Sequence, residues 1–287
     1  MSAMKKLLIA LAIILLGAGA IMALDSIGVI PDTTESPTPT ASVSPTPSAS
    51  PSGSPQVANI TVTSPKTGDK VGNPITVTGK ARVFENTFAY GLRDTSGRKL
   101  YENFGMADAP DMGQFGNYTV KIPVPVNAPV DLVVEVWEYS AKDGSVINLV
   151  RVPVKLSTQQ TQTLKIYMGK TGVSENDCKT MVAVNRTVIQ TNEPAYISLI
   201  ELLKGPTNTE KQNDYYTSLP DNVRLNSLVL RGSTVTADFD ETLQAGVGGS
   251  CRVTAIRAQI TQTLKQFSSI KNVVISIYGR TTDILQP

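Results

Sequence analysis

The side chains that could do chemistry in this chain are a serine–lysine pair, two groups of carboxylates and two cysteines, because histidine is absent. Without an imidazole the commonest general base is missing, as are serine–histidine and cysteine–histidine nucleophile pairs and most zinc sites. Ser96-Gly97-Arg98-Lys99 fits a Ser-x-x-Lys spacing, and Lys66-Thr67-Gly68 and Lys170-Thr171-Gly172 each fit Lys-Thr-Gly. Acyl-transfer chemistry of that type needs the serine at a helix start and a Ser-Asp-Asn segment between the two motifs. Ser96 instead falls in a predicted hairpin turn, and no Ser-Asp-Asn occurs. Asp238, Asp240 and Glu241 cluster at a strand end, and Asp108 and Asp111 share a loop, where they could bind calcium or act on glycosides. Neither group has the spacing of a calcium loop, so both read as solvated turns. The sequence therefore predicts no catalytic residue, no metal ligand and no cofactor site.

Binding is the remaining chemistry, and aromatic residues are its usual carriers. Trp137 lies in an apolar run and reads as core, with a sugar platform as the alternative. Tyr215 and Tyr216 lie in a polar loop, where they are candidates for a partner-contact surface or for a cap over a nearby helix end. The formal net charge of +2 is spread evenly between residues 57–156 and 157–287. No basic face suited to many phosphates results, which argues against nucleic acid as a partner.

The elements that would position these residues begin with a targeting segment at 1–30. Lys5 and Lys6 precede the uncharged run Leu7–Leu24. At ~1.5 Å per residue that run reaches roughly 27 Å, about the thickness of a hydrocarbon core. Its basic flank should stay in the cytoplasm and send the rest of the chain outside. A retained signal anchor fits the length. A cleaved signal peptide fits the small residues Ala18-Gly19-Ala20 and Ala23, and would make the protein secreted. Residues 31–56, dominated by Pro, Ser and Thr, form a linker too polar to bury a core. Outside the cytoplasm, the lone pair Cys178 and Cys251 favours a disulfide over two buried thiols. It is not a Cys-x-x-Cys redox pair.

Residues 57–156 alternate in short extended runs between turns: Ile60–Val62, Ile75–Val77, Phe88–Leu92, Tyr118–Val124, Leu132–Tyr139 and Val146–Leu156. About seven strands in a hundred residues predicts an all-β sandwich of immunoglobulin type. Residues 157–287 predict an α+β domain. Strands at Leu164–Met168 and Val182–Val188 lead to a helix capped at Asn192, with Pro194 in its first turn. Tyr196, Leu199, Ile200 and Leu203 form its apolar face, and Gly205-Pro206 stop it. A hairpin over Leu225–Phe239, a long helix capped by Ser250 and a strand Val273–Ile277 complete the order β-β-α-β-β-α-β. The simplest arrangement is one mixed sheet with both helices on one face.

The wording of this second region resembles the GerMN domain of bacterial envelope and sporulation proteins. The likeness rests on Asn185-Arg186, Leu202-Leu203-Lys204-Gly205-Pro206, Thr217-Ser218-Leu219-Pro220, Ala237-Asp238-Phe239 and Thr263-Leu264-Lys265-Gln266-Phe267, in the family's order. Ile60-Thr61-Val62-Thr63-Ser64-Pro65 and Asn73-Pro74-Ile75-Thr76-Val77-Thr78-Gly79 are similar to the immunoglobulin-like domain that accompanies GerMN. The resemblance implies binding and assembly, without catalytic residues, and a kinship with ring-building modules of envelope complexes. The expectation is a non-catalytic, membrane-anchored, extracytoplasmic protein that binds an envelope protein or itself, possible links to sporulation or germination included. Its alternative is a module binding peptidoglycan or another wall glycan.

Overall fold

The structure is a computed structural model that describes residues 57–286. The predicted signal segment at 1–30 and linker at 31–56 lie outside the described residues. Among the described residues, no helix is long and apolar enough to cross a membrane.

The first domain is a two-sheet sandwich. One sheet joins β1 (Ile60–Ser64), β3 (Ile75–Ala81) and β6 (Gly116–Ile122) in the order β1-β3-β6. The other joins β2 (Lys70–Val71), β8 (Val146–Leu156), β7 (Asp131–Tyr139), β4 (Thr87–Asp94) and β5 (Lys99–Met106) in the order β2-β8-β7-β4-β5. The period-two rule accounts for the packing. In β3, Ile75, Val77 and Ala81 are buried while Thr76 and Lys80 face outward. They meet Leu132, Val134 and Val136 of β7 and Phe88 and Leu92 of β4 in one core. The fold class is the one expected, with eight strands where six runs were named and about seven strands expected. The short β2 and the outer strand β5 are the two unread ones, and β5 carries mostly half-exposed residues with no clean alternation.

In the second domain β9 (Thr161–Lys170) pairs antiparallel with β10 (Val182–Ile189), from Met168 opposite Val182 to Thr161 opposite Ile189. The chain continues through α1 (Pro194–Leu203), α2 (Asn208–Gln212) and β11 (Tyr215–Tyr216), which pairs with the other side of β9. The hairpin β12 (Leu225–Arg231) and β13 (Thr234–Phe239) follows, then α3 (Ser250–Lys265) and β14 (Asn272–Ile277). The crossover through α3 returns β14 parallel to β13, as a helical connection allows. Three expectations need correction. The sheet is two three-stranded sheets, β10-β9-β11 and β12-β13-β14, rather than one. The expected loop at 207–218 holds both α2 and β11. The helix caps fall one residue away from those expected, at Glu193 and Gly249, and neither cap makes a side-chain bond. Ile197, Leu199 and Leu202 of α1 and Ile256, Ile260 and Leu264 of α3 close over Ile166 and Met168 of β9.

Residues 57–286 belong to one compact unit, and the reason lies at the end of β10. Ile189, fully buried, enters the core of the sandwich rather than that of its own domain. Asn73 fixes the joint by donating from Nδ2 to the Ile189 carbonyl at 2.9 Å and accepting at Oδ1 from Val124 N at 3.0 Å. Beside it Lys121 of β6 pairs with Glu193, and the Tyr196 hydroxyl donates to the Lys121 carbonyl at 3.3 Å.

Candidate interaction surfaces

The side chains singled out for catalysis are held in internal bonds. Ser96 donates from its hydroxyl to Asp94 at 2.6 Å inside the β4–β5 turn. Asp94 also accepts from the main chain of Ser96 and Arg98 and from the Arg98 guanidinium. The hydrogen bonds from Ser96 and Arg98 lower its pKa to about 2. Asp240 is buried, accepts from Arg224 N at 3.0 Å, and pairs with the Arg224 guanidinium. Asp238 accepts from the Ser276 hydroxyl at 2.6 Å and from Gly279 N at 2.7 Å, and Glu241 pairs with Arg280. These three carboxylates therefore brace the ends of β12, β13 and β14. Asp111 accepts from Met112 N, and Asp108 is fixed through its main chain, whose N–H donates to the Asn117 carbonyl at 2.8 Å.

Cys178 and Cys251 are joined by a disulfide with a Cα–Cα distance of 5.3 Å. It ties the loop after β9 to the first turn of α3. Asp177 organises the same loop by accepting from Lys179 N, Thr180 N and the Thr180 hydroxyl, bonds that bring its pKa down to about 2.

The Gly205-Pro206 corner is built around Arg186. Gly205 takes the left-handed conformation, φ +69°, that ends a helix. Thr207 and Glu210 then form a capping box at the start of α2. Arg186 reaches from β10 to donate to the Gly205 carbonyl at 2.9 Å and to Glu210 at 2.6 Å, and its Nε is enclosed with no partner. The sequence reading missed this clamp, although Thr207-x-x-Glu210 carries the signature of its capping box.

The aromatic candidates lie differently from expectation. Trp137 is buried, on the core reading, and so offers no sugar platform. Tyr215 and Tyr216 are not exposed loop residues but half-buried strand residues. Tyr215 packs on the domain core with the Lys170 ammonium 4.8 Å from its ring. Tyr216 covers Gly169, where any Cβ would lie 2.4 Å from the ring.

A cleft of about 930 Å³ lies between the domains. One wall is β5 and β6, the outer strands of the two sandwich sheets, and the facing wall is β12, the outer strand of its own sheet. Phe104, Met106, Val229 and Tyr278 line it with 44%, 63%, 43% and 52% of their surface exposed. Arg224 crosses the seam with its guanidinium 5.8 Å from the Phe104 ring.

The described residues thus form an immunoglobulin-like sandwich docked to an α+β domain. Residues 59–145 match the immunoglobulin-like domain of bacterial spore germination, and residues 165–283 match the family described as sporulation and spore germination. The chain thus carries an immunoglobulin-like germination domain followed by a GerMN-related domain, as the resemblance implied. It is similar to the tandem GerMN domains of the sporulation protein GerM from Bacillus subtilis, with 21% identity, 42% of this chain and 40% of that chain covered, and a TM-score of 0.35. For the first GerMN domain of the same protein the identity is 22%, the coverage 42% and 85%, and the TM-score 0.34. The chain thus spans less than half the length of the tandem-domain structure. No curated protein matches it.

Proposed function

We propose that the protein is a non-catalytic component of the cell envelope. It is held in the membrane by residues 1–30 and presents its two docked domains outside the cytoplasm to a protein partner, in sporulation or spore germination. The observation that carries this reading is the joint at Ile189 and Asn73, which fixes two binding-type domains as one body. It is supported by the engagement of Ser96, Asp238, Asp240 and Glu241 in structural bonds. The disulfide between Cys178 and Cys251 fits an oxidising compartment. The glycan reading has less support, since Trp137 is buried and the rings of Tyr215 and Tyr216 are spent on Lys170 and Gly169. Chemical crosslinking in intact cells tests the proposal. A discrete adduct with a second polypeptide is expected, whereas recovery of monomer alone, together with sedimentation on purified cell wall, would favour the glycan reading.

A further inference from the structure

The cleft wall formed by β12 carries an unused hydrogen-bonding edge. Two residues, Gly232 and Ser233, separate Arg231 from its partner Thr234. In a two-residue hairpin the flanking pair exchanges both main-chain bonds, and bonded and non-bonded pairs then alternate. Val229 and Thr236 are therefore the next bonded pair, while Leu228 and Leu230 aim their N–H and C=O groups away from β13. No backbone bond outside the ladder uses the main chain of either residue, among those described.

The facing wall differs. β5 is the outer strand of its sheet, and the Phe104 N–H is accepted by the neighbouring Asn103 side chain at 2.8 Å rather than by another strand. Charge does not select the occupant. Arg224 is neutralised by Asp240 and Lys121 by Glu193, and Asp238 is occupied by Ser276 and Gly279. What the cleft offers is the outward main-chain donors and acceptors of the β12 edge, beside half-exposed Phe104, Met106, Val229 and Tyr278. Main-chain pairing with alternate apolar side chains is the recognition chemistry of an extended polypeptide added to a sheet edge. The volume, near the top of the roughly 300–1,000 Å³ range of ligand pockets, suits a short segment rather than a folded domain. The cleft is also continuous with the domain joint, since Tyr196 and Lys121 lie in its lining.

We infer that an extended peptide segment of a partner polypeptide runs through the interdomain cleft and along the free edge of β12, pairing at Leu228 in the cleft lining and at Leu230 just beyond it. This inference rests on the protein-binding reading and names how the partner is held.

The test uses the full chain in detergent and linear heptapeptides displayed on phage. Selected heptapeptides are then synthesised and titrated calorimetrically, each with a single N-methyl group moved along its backbone. Strand addition predicts that N-methylation at alternate residues weakens binding more than tenfold and at the intervening residues less than twofold. Hydrogen exchange at the Leu228 and Leu230 amides should slow when peptide is bound. Leu230→Pro, which removes an outward N–H from an edge strand, should abolish binding while leaving the thermal midpoint within a few degrees. Failure to select any linear peptide, indifference to N-methylation, or unprotected Leu228 and Leu230 amides would each overturn the inference. Protection of those amides by a second copy without peptide, or by soluble wall glycan fragments, would overturn it too. A cellular crosslink that survives Leu230→Pro would leave the protein-binding reading standing and remove this one alone.

Discussion

Arg186 connects two segments that are distant in sequence, and much of the second domain's geometry passes through its guanidinium. Its bonds to the Gly205 carbonyl and to Glu210 set the direction in which the chain leaves α1. The two side chains are only 11% and 13% exposed, so losing one would leave the other charge largely desolvated. Arg186→Ala should therefore cost about 3 kcal/mol in denaturant unfolding. Arg186→Ala/Glu210→Gln should recover part of that loss, because no unpaired charge then remains. Thr207→Ala removes only a cap and should cost about 1 kcal/mol. Asp177 supplies a pH test. Hydrogen bonds to its carboxylate bring its pKa down to about 2, against roughly 3.9 in an unfolded chain. A depressed pKa contributes stability above the unfolded value that is lost as pH falls through the folded value, here between about pH 4 and 2. An NMR titration should place the Asp177 midpoint near 2, and Asp177→Asn should make the 171–181 loop more susceptible to proteolysis at neutral pH.

At the scale of elements, the disulfide and the outer strands decide most. The bridge between Cys178 and Cys251 closes a loop with a sequence separation of 73, worth ~4 kcal/mol by the chain-entropy rule. Cys178→Ser/Cys251→Ser should lower stability by about that amount in urea unfolding, with a steeper slope because the unfolded chain is no longer cross-linked. β3 was legible because it alternates cleanly with one face buried, whereas β7 and β14, buried on both faces over part of their length, were legible as apolar runs. β5 was not, because an outer strand with half-exposed residues on both faces leaves no period-two signal. Tyr215 and Tyr216 read as loop because two residues carry no periodicity, and only the tertiary contact with β9 makes them strand. The capping box of α2 was available in Thr207-x-x-Glu210, whereas the Arg186 clamp depends on folding across 24 positions. The Cys178–Cys251 pair was legible from cysteine number and compartment. The cleft was not, since it exists only where strands of two domains meet.

For the whole molecule the central feature is that two domains act as one body. Ile189 belongs to the second domain by sequence and to the core of the first by burial, so the joint cannot open without exposing it. Ile189→Ala should cost about 3 kcal/mol, as large-to-small core substitutions do. It should also split a single unfolding transition into two in calorimetry, one per domain. Asn73→Ala should act in the same direction by orphaning the Ile189 carbonyl and Val124 N–H. In the proposed function the joint would hold the β5 and β12 walls at a constant separation. The most direct test is site-specific photocrosslinking in intact cells, with a photoreactive residue placed in turn at Met106, Val229 and Tyr278 of the full chain. The account predicts a discrete adduct with a second polypeptide from these cleft positions and none from the remote Lys142. Monomer alone from every position, or equal labelling from Lys142, would contradict it.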